Sequence, residues 1–404
     1  MDQTQETIKA TEKETLATFQ EEIPSQYFSH LDEKEFNKFT KNAENYYRDL
    51  FKFPKEMFIG KELIDFGAGT GENTIYLSNF GADCTLVEMN YLSQDISKEV
   101  FKKYSRKEAK TEFVLSSIFD YQPNNGKLYD IVHCRGVLSH TSAKEKAFQH
   151  IASFLKPGGY LIFGDPNKSG GFQNMLQRYA VYKFAKTPDE MVEVCENLFK
   201  KDIDRSERAV KRTRRAIIFD RWVIQSQDDP SVEEVFNWCE TAGLKIYSTY
   251  PYSNSAFLGD SIFHFNKFDP YQFTNLFAIP EITWMLQTEE DQTFLKNYNN
   301  LLSKTSNSLK EISSLMANFQ KKSSLDPKEF SKSAQEFSKN LNEVDLLSPL
   351  KSKLETFLYE ATLFIKAVEK GDLNEVKKEV DNFSILFTGA VGVRHVDFIA
   401  YKNK

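Results

Sequence analysis

Short apolar runs alternate with amphipathic stretches between residues 60 and 166, the pattern of parallel strands joined by crossover helices. Glu62–Phe66, Cys84–Glu88, Glu112–Leu115, Tyr129–Cys134 and Tyr160–Gly164 read as strands, and residues 72–80, 93–104 and 143–155 between them read as helices. Ahead of this block, residues 1–20 are polar and read as a frayed end. Phe36, Phe39, Tyr46, Tyr47, Leu50 and Phe51 fall at helical spacing and predict one or two helices over 21–58. Beyond the block, residues 170–225 turn helical and basic. Ser231 and Glu234 have the spacing of a capping box, so a helix is predicted over 231–243, stopped by Gly243 before the apolar run Leu244–Tyr247. Residues 285–385 are polar with apolar stripes such as Leu309, Ile312, Leu315, Met316 and Phe319, which predict a helical bundle. Val393–Tyr401 returns to strand character.

The chain has 404 residues, 40% hydrophobic and 27% charged, so it has the composition of a globular protein of two or three domains rather than a disordered one. A net charge of −6 argues against a general nucleic-acid binder. No apolar run is long enough to predict a transmembrane helix, and the N-terminal residues lack the basic start and apolar stretch of a secretory signal. Cys84, Cys134, Cys195 and Cys239 are widely spaced, with no Cys-x-x-Cys and no zinc spacing. Reduced thiols, a cytoplasmic location and no metal are therefore expected.

The stretch LIDFGAGTGENTIYL, Leu63 to Leu77, carries the chemistry. An apolar strand holding Asp65 runs into Gly67, Gly69 and Gly71, and then a helix begins. Glycines suit a sharp turn that lets backbone approach a ligand, and the helix start offers free N–H groups. A dinucleotide site favours Gly-x-Gly-x-x-Gly. Here the position of the third glycine is Glu72, whose charge would oppose a pyrophosphate but tolerates a ligand bearing an amine and a sulfonium.

This segment resembles motif I of class I S-adenosylmethionine (SAM) dependent methyltransferases. Further blocks follow in the family's order: Glu88 at the end of the second strand, VLSSIFD (Val114 to Asp120), YDIVHCRGVLSHT (Tyr129 to Thr141) and LKPGGYLIFGD (Leu155 to Asp165). The resemblance implies an α/β fold, a Rossmann-like, doubly wound, mostly parallel seven-stranded sheet, here with added N-terminal helices and a helical C-terminal region. It implies SAM as cofactor, held by Asp65, Gly67, Ala68, Gly69, Gly71, Glu88, Met89, Ser117, Ile118 and Arg135. Glu88 would take the ribose hydroxyls, and Ser117 and Ile118 the adenine, although the family often has Gly-Asp where this chain has Ser116-Ser117. The expected divisions are an N-terminal helical cap (1–58), a SAM-binding core (59–167), a basic helical insertion (168–230), a return to the core (231–265), a helical region (266–388) and a candidate final strand (389–404). Ser253–Phe265 competes for the place of that last strand.

His140 and Asp165 fall at the carboxyl edge of the sheet and are the candidate general bases, since imidazole titrates near neutrality. His133 lies inside a strand and reads as a satisfied core residue. Six of the eleven arginines fall within 205–221. On one helix, Arg205, Arg208, Arg212 and Arg215 would share a face, and Arg208, Arg212 and Arg215 are candidates for holding an anionic acceptor. The alternatives are a solvated face paired with Asp202, Asp204 and Glu207, or a surface for a phospholipid or nucleic acid.

The expected function is methyl transfer from SAM to a small-molecule, glycan or lipid acceptor, with release of S-adenosylhomocysteine (SAH). The rivals are a SAM-binding interaction protein without turnover, an aminopropyl transferase and a nicotinamide enzyme. The helical region after 285 would serve as a substrate lid or as an arm for homo-oligomerisation.

Overall fold

The computed structural model describes residues 5–23, 33–209, 212–250, 270–286, 288, 299–300, 302–314, 327–344, 348–388 and 395–404. The chain divides into two units, one of residues 1–285, 368–377 and 391–404, the other of residues 286–367 and 378–390.

The first unit begins with two helices, α1 (Gln5–Glu21) and α2 (Glu33–Asn45). A π-helical turn over Tyr46–Leu50 continues α2. The first residues were expected to fray, yet α1 is a helix of 17 residues with Ile8 and Thr15 buried. Its own sequence shows a weak stripe, and packing supplies the order that propensity does not.

The sheet follows: β1 (Glu62–Phe66), β2 (Asp83–Glu88), β3 (Thr111–Leu115), β4 (Tyr129–Arg135) and β5 (Leu155–Pro166), with α3 (Ile75–Asn79), α4 (Tyr91–Tyr104) and α5 (Lys144–Ser153) between them. After β5 come α6 (Phe172–Phe184), α7 (Pro188–Leu198), α8 (Lys200–Ala209), α9 (Arg214–Ile218), α10 (Val232–Thr241), β6 (Leu244–Tyr250) and α11 (Ala278–Met285). The helices α12 (302–314), α13 (Pro327–Asn342), α14 (Ser348–Lys370) and α15 (Leu373–Asn382) precede β7 (His395–Lys402).

The seven strands lie in the order β3-β2-β1-β4-β5-β7-β6. The first five are mutually parallel, and β7 runs antiparallel to both β5 and β6. The strand order reverses beside β1, so a crevice opens beyond the carboxyl ends of β1 and β4. Ser253–Phe265 lies outside the described residues, as do Leu315, Met316 and Phe319.

Both faces of the sheet are covered, which is why its inner strands read as near-continuous apolar runs. One face packs Phe66, Leu161, Phe163 and Phe398 with Phe148, Phe236 and Trp238. The other packs Leu63, Ile162 and Ile399 with Tyr47, Phe51, Phe58 and Tyr76. Leu161, Ile162 and Phe163 thus alternate between the faces with the period of a strand.

The second unit is helical in its described residues. There the buried Glu360 carboxylate accepts bonds from the amides of Ser384, Ile385 and Leu386 and from the Ser384 hydroxyl. Phe364 packs edge-on against Phe387 with centroids 4.9 Å apart. No helix among the described residues is long and apolar enough to cross a membrane.

The capping box read from the sequence closes α10. The Ser231 hydroxyl accepts from the Glu234 amide at 3.1 Å, and the Glu234 carboxylate accepts from the Ser231 amide at 2.7 Å. Ser231→Ala leaves an amide of the first turn without its acceptor, and the expected loss is about 1 kcal/mol in urea unfolding.

Candidate active site

The chain leaves β1 through Gly67, Gly69 and Gly71, all at positive φ. Two of these positions also lack room for a side chain. A Cβ on Gly67 would fall 2.5 Å from a Val137 methyl, and one on Gly71 would fall 2.3 Å from the Ser97 hydroxyl. Asp65, one residue before the end of β1, is buried. Its carboxylate accepts from the Thr74 hydroxyl and meets His133 Nδ1 at 2.7 Å, while His133 Nε2 lies 3.1 Å from the Tyr47 hydroxyl. Asp65, Gly67, Ala68, Gly69, His133 and Arg135 are among the residues around a cavity of about 60 Å³ at this turn.

A larger cavity of about 740 Å³ runs past the same glycines. At one end stands Glu88, the last residue of β2. Its two oxygens accept from the Gly69 amide at 2.8 Å and the Asn90 amide at 2.7 Å, and burial raises its pKa. Each oxygen keeps a second lone pair, enough to accept from a pair of hydroxyls. Met89 and Ile118 line the cavity beside it. In the loop after β3 Ser116 faces the cavity, whereas the Ser117 hydroxyl accepts from the Asp120 amide at 3.2 Å and closes a turn. Ser117 is thus a loop-shaping residue and Ser116 the cavity-facing one, a correction of one position. Gly71 is also set back, under Ser97 and Phe101, and acts through the shape of the turn.

At the other end stands His140. Its Nδ1 lies 3.0 Å from the Ser226 carbonyl. A carbonyl can only accept, so Nδ1 carries a proton, and in the neutral form of the ring the lone pair is on Nε2, on a side chain that lines the cavity. Asp165 sits elsewhere. It is fully buried and accepts from the Ser139 amide at 3.1 Å and the Ser139 hydroxyl at 2.7 Å, and so anchors the loop that carries His140. The reading of Asp165 as a base gives way to this anchoring role, because the carboxylate is turned into the core.

Two residues of the site, Asp397 and Gly164, and one helix were not legible as such. Asp397 on β7 accepts from Arg135 Nε at 3.1 Å and Nη2 at 2.8 Å, and also from the Tyr46 hydroxyl. Burial, and then the Asp397 charge, push the Tyr46 pKa upward. Arg135, Gly164 and Asp397 are register partners on three adjacent strands. A Cβ on Gly164 would fall 2.1 Å from Asp397 Oδ1, so the pair forms across a glycine. A charged residue and a glycine inside apolar strands were the available signals. Helix α1 was the third omission. It lines the large cavity with Thr15, Leu16 and Phe19. It also reaches Asp120 through Lys9, Asn90 through the Phe19 carbonyl, and the His140 carbonyl through Thr15.

The arginine segment is two helices. Thr213 caps α9 by accepting from the Ala216 amide at 3.0 Å, and α8 has already ended, so Arg208, Arg212 and Arg215 are not brought onto one face. Arg212 lines the cavity and pairs with Asp220 at 2.8 Å. Arg215 pairs with Glu21, Glu22 and Asp189, and Arg208 is exposed on α8. Arg205 and Arg221 share Asp202, and Arg214 meets Glu196, Asp204 and Glu207. Carboxylates thus answer most of this cluster.

A doubly wound sheet with a glycine turn at its switch point, a buried acid beneath the turn and a second acid ending the next strand defines a nucleoside-binding α/β protein. Residues 39–195 match the family model described as a methyltransferase domain. The ubiquinone biosynthesis O-methyltransferase of Vibrio vulnificus (strain YJ016) is 26% identical over 110 residues, 27% of this chain and 46% of that protein. The malonyl-[acyl-carrier protein] O-methyltransferase 2 of Ilyobacter polytropus is 30% identical over 111 residues, 28% of this chain and 41% of that protein. The chain thus spans less than half the length of these curated relatives. The crystal structure of magnesium protoporphyrin IX methyltransferase from Synechocystis PCC 6803, solved with bound SAM, aligns at 12% identity and a TM-score of 0.30, covering 62% of this chain and 78% of that one. Over residues 39–195 the chain thus matches a methyltransferase domain, in line with its resemblance to class I SAM-dependent methyltransferases. Its residues fit the family's cofactor: the Gly67 turn leaves no room for a side chain, and Glu88 retains acceptor capacity at the cavity wall.

Burial drives the Asp165 carboxyl up to about 7, against the opposing pull of the Ser139 hydrogen bonds. Between the ordinary value of 3.8 and about 7 the folded state holds a proton that the unfolded state has lost. Asp165 therefore stabilises the fold fully below that window, and its contribution is lost as pH rises through about 7. Asp165→Asn cannot ionise and keeps a bond to Ser139. Its urea midpoint, compared with that of the parent, is expected to improve between pH about 5 and about 8. An unchanged gap would show that Asp165 does not titrate there.

Proposed function

We propose that this protein transfers the methyl group of SAM to an oxygen nucleophile on a small-molecule, glycan or lipid acceptor. The observation that carries the reading is the continuity of one cavity from Gly69 and Glu88 to His140. The resemblance of the core to O-methyltransferases supports oxygen as the acceptor atom.

SAM, when bound, supplies a methyl group on a sulfonium, an electrophile strong enough that positioning provides much of the acceleration. Asp65 would receive the ammonium group of the methionine moiety, with Arg135 beside it. Glu88 would accept from the ribose hydroxyls, and Ile118 would pack on the adenine with Ser116 at its edge. His140 Nε2 holds the lone pair that would take the acceptor's hydroxyl proton as the new O–CH₃ bond forms. Phe19, whose ring lies edge-on to His140 at 5.4 Å, helps to exclude water from that end. Arg135 and Arg212 already face Asp397 and Asp220, which supports an uncharged hydroxyl acceptor over an anionic one.

The test is incubation of the purified protein with methyl-labelled SAM and fractionated metabolites, glycans and lipids. Label that resists base but is released as methyl iodide by hydriodic acid marks a methyl ether and supports a hydroxyl acceptor, whereas label released as methanol by base marks the methyl ester of a carboxylate and would overturn the uncharged acceptor. SAH binding without label in any fraction would favour an interaction protein without turnover. Once an acceptor is found, His140→Gln is expected to lower kcat by about 10² to 10⁴ with SAH affinity unchanged. An undiminished kcat would remove His140 from the chemistry.

A further inference from the structure

The transfer reading gives His133 no task, although its place in the site is closely defined. Asp65 on β1 and His133 on β4 are register partners on adjacent strands, so their side chains share one face of the sheet. The imidazole is buried, with 1% exposure, and both of its nitrogens are engaged. Nδ1 lies 2.7 Å from Asp65 Oδ1, and Nε2 lies 3.1 Å from the Tyr47 hydroxyl. A carboxylate only accepts, so Nδ1 carries a proton and donates to Asp65, while Nε2 meets the Tyr47 hydroxyl. Bonds on opposite sides of the ring prevent it from flipping. The Thr74 hydroxyl takes Asp65 Oδ2, so each oxygen of this buried carboxylate has one donor from the protein and one lone pair left. Asp65 and His133 both border the small cavity at the glycine turn.

We propose that His133 is a positioning residue for the amino-acid end of the methyl donor. Held by Tyr47, it fixes the rotamer and the charge of Asp65, so that the two remaining lone pairs face the donor's ammonium group. The inference rests on the reading of this site as a SAM site. Without the imidazole, Asp65 would lose a charge-assisted bond. It would then turn toward another donor or take up a proton, and in either case bind an ammonium group less well. The sequence reading of His133 as a satisfied core residue describes the same bonds. What separates the two views is whether they matter to the ligand.

Two ligands make that separation. SAH has the amino-acid moiety, and 5′-methylthioadenosine has the same nucleoside and sulfur without it. Calorimetric titration of both is to be made on the parent protein, His133→Leu, His133→Asn and Tyr47→Phe. The Asn side chain can place an amide N–H where Nδ1 stands. The expected result is a loss of SAH affinity of about ten- to a hundredfold in His133→Leu, a smaller loss in Tyr47→Phe, and affinity close to the parent's in His133→Asn. Affinity for 5′-methylthioadenosine is expected to stay within about threefold throughout. Equal losses for both ligands, or SAH affinity unchanged in His133→Leu, would overturn the proposal. If His133→Leu does not fold, the other two variants decide it: Tyr47→Phe must weaken SAH selectively and His133→Asn must not. A parent protein that binds neither ligand would overturn the SAM reading itself, whereas selective loss can arise only if that reading holds.

Discussion

A guanidinium under the rim of the sheet sets much of the architecture around it. Arg135 ends β4, Asp397 lies on β7, and the two meet across β5 at Gly164. A charge in that position is tolerable when it is paired and bonded, and removing one partner of such a pair costs about 3–5 kcal/mol. The pair therefore constrains three strands at once. It requires a glycine in the middle strand, because a Cβ there would overlap Asp397 Oδ1. It also requires the seventh strand to enter between β5 and β6 in one register, since a slip of one residue would turn Asp397 to the other face. Tyr46 joins the same carboxylate and ties the turn after α2 to the start of β7. Segments 351 residues apart in sequence are thus fixed to each other at the mouth of the cavity.

Three acids near the carboxyl ends of parallel strands show how environment divides similar groups among different tasks. Asp65 and Glu88 accept from donors that leave part of each carboxylate open to a cavity. Asp165 receives the Ser139 amide and hydroxyl in the core, and burial raises it toward neutrality. A sequence lists all three as an acid beside a turn. Only their partners separate the carboxylates left open to a cavity from a loop anchor.

The sheet and the glycine turn were legible because their signals are local. Strands of five or six apolar residues, a capping box and a Gly-x-Gly-x-Gly turn are each written within a few consecutive positions. The long-range elements were less legible. Helix α1 has little apolar pattern of its own and is held by contacts with loops around Asn90, Asp120 and His140. The arginine face failed because spacing was extended through Thr213, a residue that starts a new helix by capping it. Asp397 and Gly164 were visible as breaks in apolar strands, but the sequence does not say that one break answers the other.

Charge pairing also bears on what can enter the large cavity. Each pairing there joins residues from different elements: Arg135 of β4 with Asp397 of β7, and Arg212 before α9 with Asp220 after it. An anionic ligand would have to compete with a carboxylate already in place, leaving that carboxylate short of its partner in a poorly solvated site. A hydroxyl makes no such demand. It can donate to the His140 lone pair while every ion pair stays intact, and its carbon skeleton can lie against Phe39, Tyr46 and Tyr250, which line the same cavity. The arginines that make the sequence look suited to an anion are, once folded against their acids, already paired, which supports the neutral nucleophile proposed above.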